Sequence, residues 1–308
     1  MNEGETRTIG QVPVSVAGLG CNNFGRRIDE ERSRAVVRAA LDAGVTTFDT
    51  AESYGDGRSE EYLGRALGAR RDDAVIVTKF SYGVAERATV EGLARACDGS
   101  LGRLGTDRID VYLLHSPDEK TPISETLDGM SRLVDQGKVR EIGCSNFSAE
   151  QLDEAAAVAA DRGLRAFVTV QNEYSLLERE PERGVIEACR RLGMSLMPYF
   201  PLASGILTGK YERGRPAPEG SRLARPGFQD WLSDDRLEKA ERLEEFARAH
   251  GHTLLELALS WLAGRPIVST VIAGATTPEH VRANAAATSA WKLTEEDLAE
   301  VDRIAGAA

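Results

Sequence analysis

Four side chains of complementary acid–base chemistry lie at or just beyond the ends of apolar stretches of the chain: Asp49, Tyr54, Lys79 and His115. A tyrosine hydroxyl, with a pKa of about 10, donates protons weakly at neutral pH, but a neighbouring lysine cation stabilises the tyrosinate and lowers that pKa. A carboxylate paired with the lysine keeps the lysine charged in a closed pocket. A histidine that donates a hydrogen bond to a carbonyl oxygen fixes that oxygen and stabilises the alkoxide that forms. These residue types therefore predict proton transfer to a carbonyl group that is being reduced.

Each of these residues also has an ordinary structural explanation when it is considered alone. Asp49 fits a turn, Lys79 fits a solvated strand end, and His115 fits a hydrogen-bonded residue of the core. Polar residues nevertheless follow nearly every predicted strand, and the residues at the strand ends are Gly20, Cys21, Asn22, Asp49, Lys79, His115, Ser145, Asn146, Gln171, Asn172, Tyr199 and Gly274. Barrel enzymes place their chemistry at this end of the strands, so one shared site is favoured over separate coincidences.

The segment around Tyr54 has the pattern of a strand, a loop and a helix. Residues 46–49 are β-branched or aromatic up to the final aspartate, which predicts a short buried strand. The loop SYGDG that follows is rich in turn residues and contains Tyr54. Ser59, with Glu60 after it, predicts the capped start of a helix over residues 60–67.

The whole chain repeats this alternation of strand and helix, and no change of composition marks a linker. Strands are predicted over residues 15–19, 46–49, 74–79, 109–114, 139–144, 166–171, 194–199 and 268–273. Helices are predicted over residues 30–43, 60–67, 89–104, 123–136, 149–162, 182–192, 254–263, 278–287 and 294–305. Eight strands that alternate with helices imply parallel pairing through right-handed crossovers.

Two architectures fit this alternation, an eight-stranded barrel and an open doubly wound sheet. An open sheet that binds a dinucleotide carries GxGxxG after its first strand, but the glycines there are Gly18, Gly20 and Gly25, and their spacing differs. We therefore predict a (β/α)8 TIM barrel of the α/β class, as a single domain over residues 1–308. The first residues predict a small β-hairpin, with strands at residues 6–9 and 12–16.

Composition and charge narrow the class of protein. The 308 residues are 42% hydrophobic and 28% charged, and the net charge is −11, which fits a globular protein and argues against a nucleic-acid or anionic-membrane surface. The acidic start MNEGETRT does not resemble a signal peptide, and no window has the roughly 18 apolar residues of a membrane span. The four cysteines form no CxxC pair and no HExxH motif occurs, so we expect a cytoplasmic protein without a metal site.

Seven ordered motifs connect the chain to a known family. In chain order they are FDTAESYG, VTKF, YLLHSPD, IGCSNFS, VQNEYSLLER, PLASGILTGKY and VIAGATTPEHVRAN. Together, between residues 14 and 284, they resemble the aldo-keto reductase superfamily. The resemblance implies a (β/α)8 barrel that reduces aldehydes and ketones with NAD(P)H and needs neither metal nor flavin. It also implies that Tyr54 is the general acid, that Lys79 and Asp49 tune it, and that His115 orients the carbonyl group.

The same resemblance implies a cofactor site. Ser145, Asn146 and Gln171 match the positions that hold the nicotinamide carboxamide, and Tyr199 matches the aromatic ring that stacks on the nicotinamide. The full implied set is Gly20, Cys21, Asp49, Ser145, Asn146, Gln171, Tyr199, Leu202, Gly205, Lys210, Gly274, Thr276, His280 and Asn284. Leu202, Gly205 and Lys210 belong to the segment that wraps the pyrophosphate. The long loop over residues 201–234 is expected to clamp the cofactor and to form part of the substrate wall.

The substrate wall is expected to contain Asn23, Phe24, Tyr82, Phe228 and Trp231. We expect a small or medium carbonyl compound as substrate, and the sequence does not identify which one. Although Cys21 and Cys144 lie near the predicted rim, we expect their thiols to be packing residues. The sequence predicts no oligomeric state.

Two departures from the family pattern bear on the cofactor. Thr276 stands where a basic residue often pairs with the 2′-phosphate of NADPH, and threonine does not replace that charge. NADPH is the expected cofactor, but NADH stays open for this reason. His280 stands where glutamine is common, whereas Asn284 is retained. Phe200 replaces a common serine, which we expect to alter packing beside the ring rather than the reaction.

Two other functions stay open from the sequence. One is a regulatory subunit of the same fold that binds the nucleotide with little turnover. The other is a Schiff-base lyase with Lys79 as the amine nucleophile. The complete acid–base set disfavours the first, and the acid paired with Lys79 disfavours the second because it keeps the amine charged.

Overall fold

The strands of the chain form a closed parallel barrel preceded by a hairpin. The computed structural model describes residues 6–82, 88–225, 227–228 and 231–306. Over these residues the strands are β1 (Thr6–Ile9), β2 (Val12–Ser15), β3 (Ala17–Gly20), β4 (Thr47–Asp49), β5 (Val75–Phe80), β6 (Ile109–Leu114), β7 (Val139–Ser145), β8 (Thr169–Glu173), β9 (Ser195–Tyr199) and β10 (Val271–Gly274). The barrel order is β10-β3-β4-β5-β6-β7-β8-β9, all parallel, and β1 pairs with β2 in antiparallel fashion. The predicted (β/α)8 barrel and hairpin are confirmed.

Helices connect the strands on the outside of the barrel. Over the described residues they are α1 (Glu30–Asp42), α2 (Arg58–Leu67), α3 (Val90–Leu104), α4 (Ile123–Asp135), α5 (Ala149–Arg162), α6 (Val185–Leu192), α7 (Asp234–Ala249), α8 (Leu254–Ala263), α9 (Pro278–Ala287) and α10 (Glu295–Ala305). Short 3-10 helices cover Gly68–Asp73, Glu180–Arg183 and Ala203–Thr208. Within the described part of the chain, no helix is long and apolar enough to cross a membrane.

The core explains why the central strands read as apolar runs. Every residue of β5 and β6 is buried, because helices cover one face and the barrel interior covers the other. At the N-terminal end of the barrel, the hairpin residues Ile9, Val12 and Val14 pack against inward-facing residues of the strands. The hairpin therefore closes one end of the barrel, and the polar residues at the strand ends are gathered at the other.

Two local predictions are wrong. Ser59 does not cap α2: the helix begins after Gly57, whose backbone is left-handed, and no side chain caps it. Ser59 lies on the buried face of α2, and its hydroxyl bonds instead to Cys21 and Thr50 at the barrel rim. Helix α7 is absent from the predicted helices. It begins after the N-cap residue Ser233. Its buried residues are two leucines and two alanines, so its apolar stripe is weak in the sequence.

Candidate active site

A buried ion pair joins the ends of β4 and β5. Lys79 is 0% exposed, and its Nζ donates to Asp49 Oδ1 at 2.7 Å and to the backbone carbonyl of Thr50 at 2.7 Å. Gln171, on the opposite side of the barrel, donates from Nε2 to the same Asp49 oxygen at 2.8 Å. Burial acts to lower the pKa of Lys79, but the charge and hydrogen bond of Asp49, assisted by Tyr54, raise it overall. Lys79 is therefore a cation at neutral pH.

Tyr54 lies beside this ion pair, in the loop between β4 and α2. Lys79 Nζ is 5.1 Å from the centre of the Tyr54 ring. Part of the tyrosine surface is exposed, while its hydroxyl is surrounded by protein. Burial raises the pKa of Tyr54, and the Lys79 cation lowers it by a smaller amount. Lys79 therefore lowers the Tyr54 pKa, as expected, but the net shift is upward because lost hydration of the tyrosinate outweighs the attraction.

His115 faces Tyr54 across the mouth of the barrel. The two ring centres are 5.8 Å apart in an edge-to-face arrangement, and the exposed Tyr82 ring lies 4.5 Å from the imidazole centre. Burial, and secondly the Lys79 charge, lower the pKa of His115 to about 3. Its Nδ1 has no hydrogen-bond partner among the described residues. The imidazole is therefore neutral at pH 7 and carries a single N–H donor.

The residues matched to the nicotinamide carboxamide form one hydrogen-bonded group beside His115. Ser145 Oγ donates to the Gln171 carbonyl at 2.7 Å, and Asn146 Nδ2 donates to the His115 carbonyl at 2.9 Å. The Tyr199 hydroxyl donates to Asn146 Oδ1 at 2.7 Å. Asn146 adopts a left-handed backbone (φ 62°), which short polar side chains tolerate. Strands β6 to β9 thus place their terminal residues around the same opening.

A group of cations lines the cofactor side of this opening, and only one of them was predicted. Its members, the rim cations, are Arg27, Lys210, Arg222 and Arg225. Burial lowers the pKa values of Arg27, Lys210 and Arg222, and their mutual repulsion lowers them further. In the described ranges none of the four has a carboxylate partner. Such a cluster suits an anion.

Loops far apart in sequence hold the rim cations together. Arg27, after β3, donates to the Gly220 carbonyl at 2.8 Å. Arg222 lies 3.4 Å from the Asn23 side-chain oxygen, and its Cζ lies 5.1 Å from the Phe200 ring centre. The arginines were missed because no spacing in the sequence links the β3–α1 loop to residues 220–225.

The other predicted cofactor residues lie next to the rim cations. Gly205 has a φ of 99°, a backbone conformation that strains any residue with a side chain, so glycine is favoured beside Lys210. Thr276 Oγ1 and His280 Nδ1 are 3.3 Å apart at the start of α9, and Asn284 Nδ2 reaches the Gly274 carbonyl at 3.5 Å. Gly20 and Gly274 are register partners on β3 and β10, and Leu202 packs partly buried against the core.

Comparison with known proteins now decides the family. The sequence profile described as "Aldo/keto reductase family" matches residues 17–305. The chain belongs to the aldo/keto reductase family. It is therefore an NAD(P)H-dependent oxidoreductase that acts on carbonyl groups.

Individual relatives of this aldo/keto reductase cover nearly its whole length. It is 37% identical over 297 residues to the "Probable voltage-gated potassium channel subunit beta" of Oryza sativa subsp. japonica, covering 91% of this chain and 88% of that one. It is 34% identical to "Aldo-keto reductase YhdN" of Bacillus subtilis, covering 95% and 90%. The crystal structure of an aldo/keto reductase from Klebsiella pneumoniae, in complex with NADP and acetate, superposes with a TM-score of 0.78 at 34% identity, covering 98% of this chain and 95% of that one.

One predicted contact of this aldo/keto reductase is wrong. Phe24 is 0% exposed and belongs to the hydrophobic core, so it does not line the substrate wall. The Cys21 thiol is also fully enclosed, and burial raises its pKa well above the usual value. The contact of Cys21 with the cofactor stays a prediction. Cys144 is equally buried with a raised pKa. The expectation that both thiols are packing residues is confirmed.

The remaining residues of the predicted substrate wall lie at or near the mouth. Tyr82 is 58% exposed over His115. The Trp231 ring meets the Phe200 ring edge-on at 6.1 Å, and Phe228 is partly buried against the core. Asn23 is nearly buried and donates to the Ala275 carbonyl at 3.3 Å, on the cofactor side. Positions 226, 229 and 230 of the predicted clamp loop lie outside the described residues.

Proposed function

We propose that this aldo/keto reductase reduces a small or medium aldehyde or ketone to an alcohol with NADPH, and that Tyr54 is the general acid. The observation that carries the proposal is the buried Lys79–Asp49 pair beside Tyr54, with neutral His115 across the same opening. Asp49 and Lys79 lie in two different strands, Tyr54 lies in a loop, and His115 directly follows a third strand. Burying a charged pair costs free energy of folding, so proton transfer explains its place beside this opening better than stability does.

Each of the four side chains has a distinct task. Tyr54 donates its hydroxyl proton to the carbonyl oxygen as negative charge develops there. Lys79 stabilises the tyrosinate that remains, and Asp49 keeps Lys79 charged. His115, as a neutral N–H donor, orients the carbonyl oxygen without giving up a proton. The nicotinamide, when bound, supplies the hydride.

The residues around the opening fit a dinucleotide cofactor. Lys210, Arg222 and Arg225 lack carboxylate partners in the described residues and would neutralise the pyrophosphate, and Gly205 lets the backbone approach it. Ser145, Asn146 and Gln171 are held by mutual hydrogen bonds and would fix the carboxamide, and Tyr199 would support the ring. The long loop over residues 201–234 would act as the clamp.

The preference for NADPH rests on Arg27. Thr276 brings no charge to the turn after β10, but the Arg27 guanidinium lies near enough to Lys210 and His280 to lower both of their pKa values. An arginine in this position supplies the phosphate charge that the turn lacks.

Dissociation constants for NADPH and NADH test this assignment. In Arg27→Ala the NADPH constant should rise about tenfold or more while the NADH constant changes little. Arg26→Ala is the matched control, because Arg26 is the exposed neighbour and should leave both constants unchanged. Equal losses for the two cofactors in Arg27→Ala would show that Arg27 does not contact the 2′-phosphate.

A nucleotide-binding regulatory subunit is the second candidate function. It is favoured by the 37% identity to a rice protein named as a potassium channel β-subunit. Purified protein assayed with NADPH and a panel of carbonyl compounds separates the two. Cofactor consumption supports the reductase, whereas tight NADPH binding without consumption across the panel favours the regulatory subunit. The Schiff-base lyase is disfavoured, because Asp49 holds Lys79 in its charged form. The cytoplasmic location stays a prediction.

A further inference from the structure

Ser59 connects the loop that carries Tyr54 to the barrel rim. Its backbone N–H donates to the Tyr54 carbonyl at 3.2 Å. Its hydroxyl donates to the Cys21 carbonyl at 2.9 Å and lies 2.8 Å from the Thr50 hydroxyl. A hydroxyl has one hydrogen and a carbonyl only accepts, so the Thr50 hydroxyl must be the donor to Ser59 Oγ. The direction of this small network is therefore fixed.

Thr50 extends the network to the ammonium of Lys79. The Thr50 carbonyl accepts a hydrogen bond from Lys79 Nζ at 2.7 Å, and the Thr50 N–H donates to the Val77 carbonyl at 2.8 Å. An ammonium has three hydrogens. Asp49 and Thr50 take two of them, which leaves the third for the side of Tyr54. One serine thus holds both the tyrosine loop and the residue that orients the lysine.

Burial makes these bonds hard to replace. Ser59 and Thr50 are both 0% exposed, so water does not reach the groups that would lose their partner. Removing the Ser59 hydroxyl leaves the Thr50 hydroxyl without its acceptor, while the Cys21 carbonyl keeps only the bond from the Phe24 N–H. A buried hydroxyl without a partner shifts to find a new one. Any shift of Thr50 moves the acceptor of Lys79.

We propose that Ser59 is a positioning residue for catalysis: through Thr50 it aims the Lys79 ammonium at Tyr54, and through its backbone it holds the Tyr54 loop. The inference deepens the proposed function, since it rests on Tyr54 as the general acid. Ser59 itself contacts no reacting atom.

Ser260 offers a matched control for a purely structural hydroxyl. It is also buried, donates to the Ala287 carbonyl at 2.8 Å and accepts from the Trp291 N–H at 3.1 Å. Its bonds join α8 to the end of α9 and to the segment after α9, and neither bond involves the Tyr54 loop. Ser260→Ala should therefore lower stability without changing turnover.

The experiment compares Ser59→Ala and Ser260→Ala with the wild-type protein. Ser59→Ala should lower kcat about tenfold, with the NADPH dissociation constant within twofold. The alkaline limb of the pH profile should move up by about half a unit or more, because Tyr54 loses part of its stabilising cation. The titration of Tyr54, measured as the ultraviolet difference from the same protein carrying Tyr54→Phe, should move in the same direction.

A second pair of variants covers a failure of Ser59→Ala to fold. Thr50→Val removes the hydroxyl at nearly constant shape and should reproduce the loss of kcat. Thr50→Ser keeps the hydroxyl and should have the kcat of the wild type. Unchanged kcat and an unmoved Tyr54 titration in Ser59→Ala or Thr50→Val would overturn the inference, as would equal losses of kcat in Ser260→Ala. A wild-type protein without turnover contradicts the proposed function instead, and the Tyr54 titration then still decides the role of Ser59.

Discussion

At the residue scale, Lys79 and His115 show how the same burial gives opposite results. Burial disfavours the charged form of both side chains, but Asp49 lies 2.7 Å from Lys79 and restores its charge. Among the described residues, no such carboxylate is paired with His115, and the nearby Lys79 adds repulsion, so the pKa of His115 falls to about 3. Tyr54 therefore has the Lys79 cation and a neutral His115 donor beside it, which is the arrangement that the proposed proton donation needs.

The His115 pKa predicts how stability depends on pH. Histidine titrates at about 6.5 when unfolded, so between that pH and 3 the unfolded chain binds more protons and stability falls on acidification. From pH 7 to pH 5 this group should remove about 2 kcal/mol of unfolding free energy. Urea unfolding of wild type and His115→Gln at both pH values measures it. The variant should lose about 2 kcal/mol less than wild type, and parallel losses would refute the buried neutral histidine.

The sequence predicted which residue types meet at this site but not their environments. Asp49, Tyr54 and Lys79 were recognisable because they sit at the ends of apolar strands and in ordered motifs. The direction of the net shift in the Tyr54 pKa was not predictable, because burial raises this pKa and the Lys79 cation lowers it. Phe24 was misplaced for a similar reason, since a sequence does not show which way a side chain in a turn points.

At the element scale, helix α2 must lie close against α3 to hold the Tyr54 loop. Gly64 of α2 faces the backbone of α3, and a Cβ there would lie 2.2 Å from the Leu104 carbonyl oxygen. Such an approach is open only to glycine. Ser59, in the first turn of α2, bonds to the Tyr54 carbonyl and to the Cys21 carbonyl, so the position of α2 directly affects the Tyr54 loop.

Two glycine substitutions separate this close approach from helix propensity. Gly102 of α3 is exposed and has nothing within 4 Å of its Cβ position, so Gly102→Ala should stabilise the protein by about 0.5–1 kcal/mol. Gly64→Ala gains the same propensity but forces the helices apart, and should destabilise by about 1–3 kcal/mol. Urea denaturation of both variants provides the comparison. A gain of stability in both would mean that α2 and α3 are not in close contact.

Elements were predictable where the periodic pattern was strong and failed where it was weak. The buried strands β5 and β6 appear in the sequence as apolar runs bounded by polar residues. Helix α7 was missed because charged residues dominate it and only Leu237, Ala240, Leu243 and Ala247 are buried. Ser59 was wrongly predicted to be a cap because its type and its spacing from the acids fit one. Its hydroxyl instead bonds to Cys21 and Thr50, the residues directly after β3 and β4.

At the scale of the whole molecule, an acidic protein keeps a cationic rim at one end of its barrel. The chain carries a net charge of −11, yet Arg27, Lys210 and Arg222 gather beside the opening. This arrangement costs repulsion among the cations, which an anionic ligand relieves. The hairpin closes the opposite end of the barrel with Ile9, Val12 and Val14, so the opening at the rim is the one the acid–base residues share.

The most direct test of the central claim, that residues distant in the chain converge to protonate a carbonyl oxygen, is the kinetics of Tyr54→Phe. The phenylalanine keeps the ring beside Lys79 and removes only the hydroxyl. We expect kcat for carbonyl reduction to fall about a thousandfold, with the NADPH dissociation constant within about twofold of wild type. Retained turnover with weakened cofactor binding would contradict the assignment and make Tyr54 a binding residue.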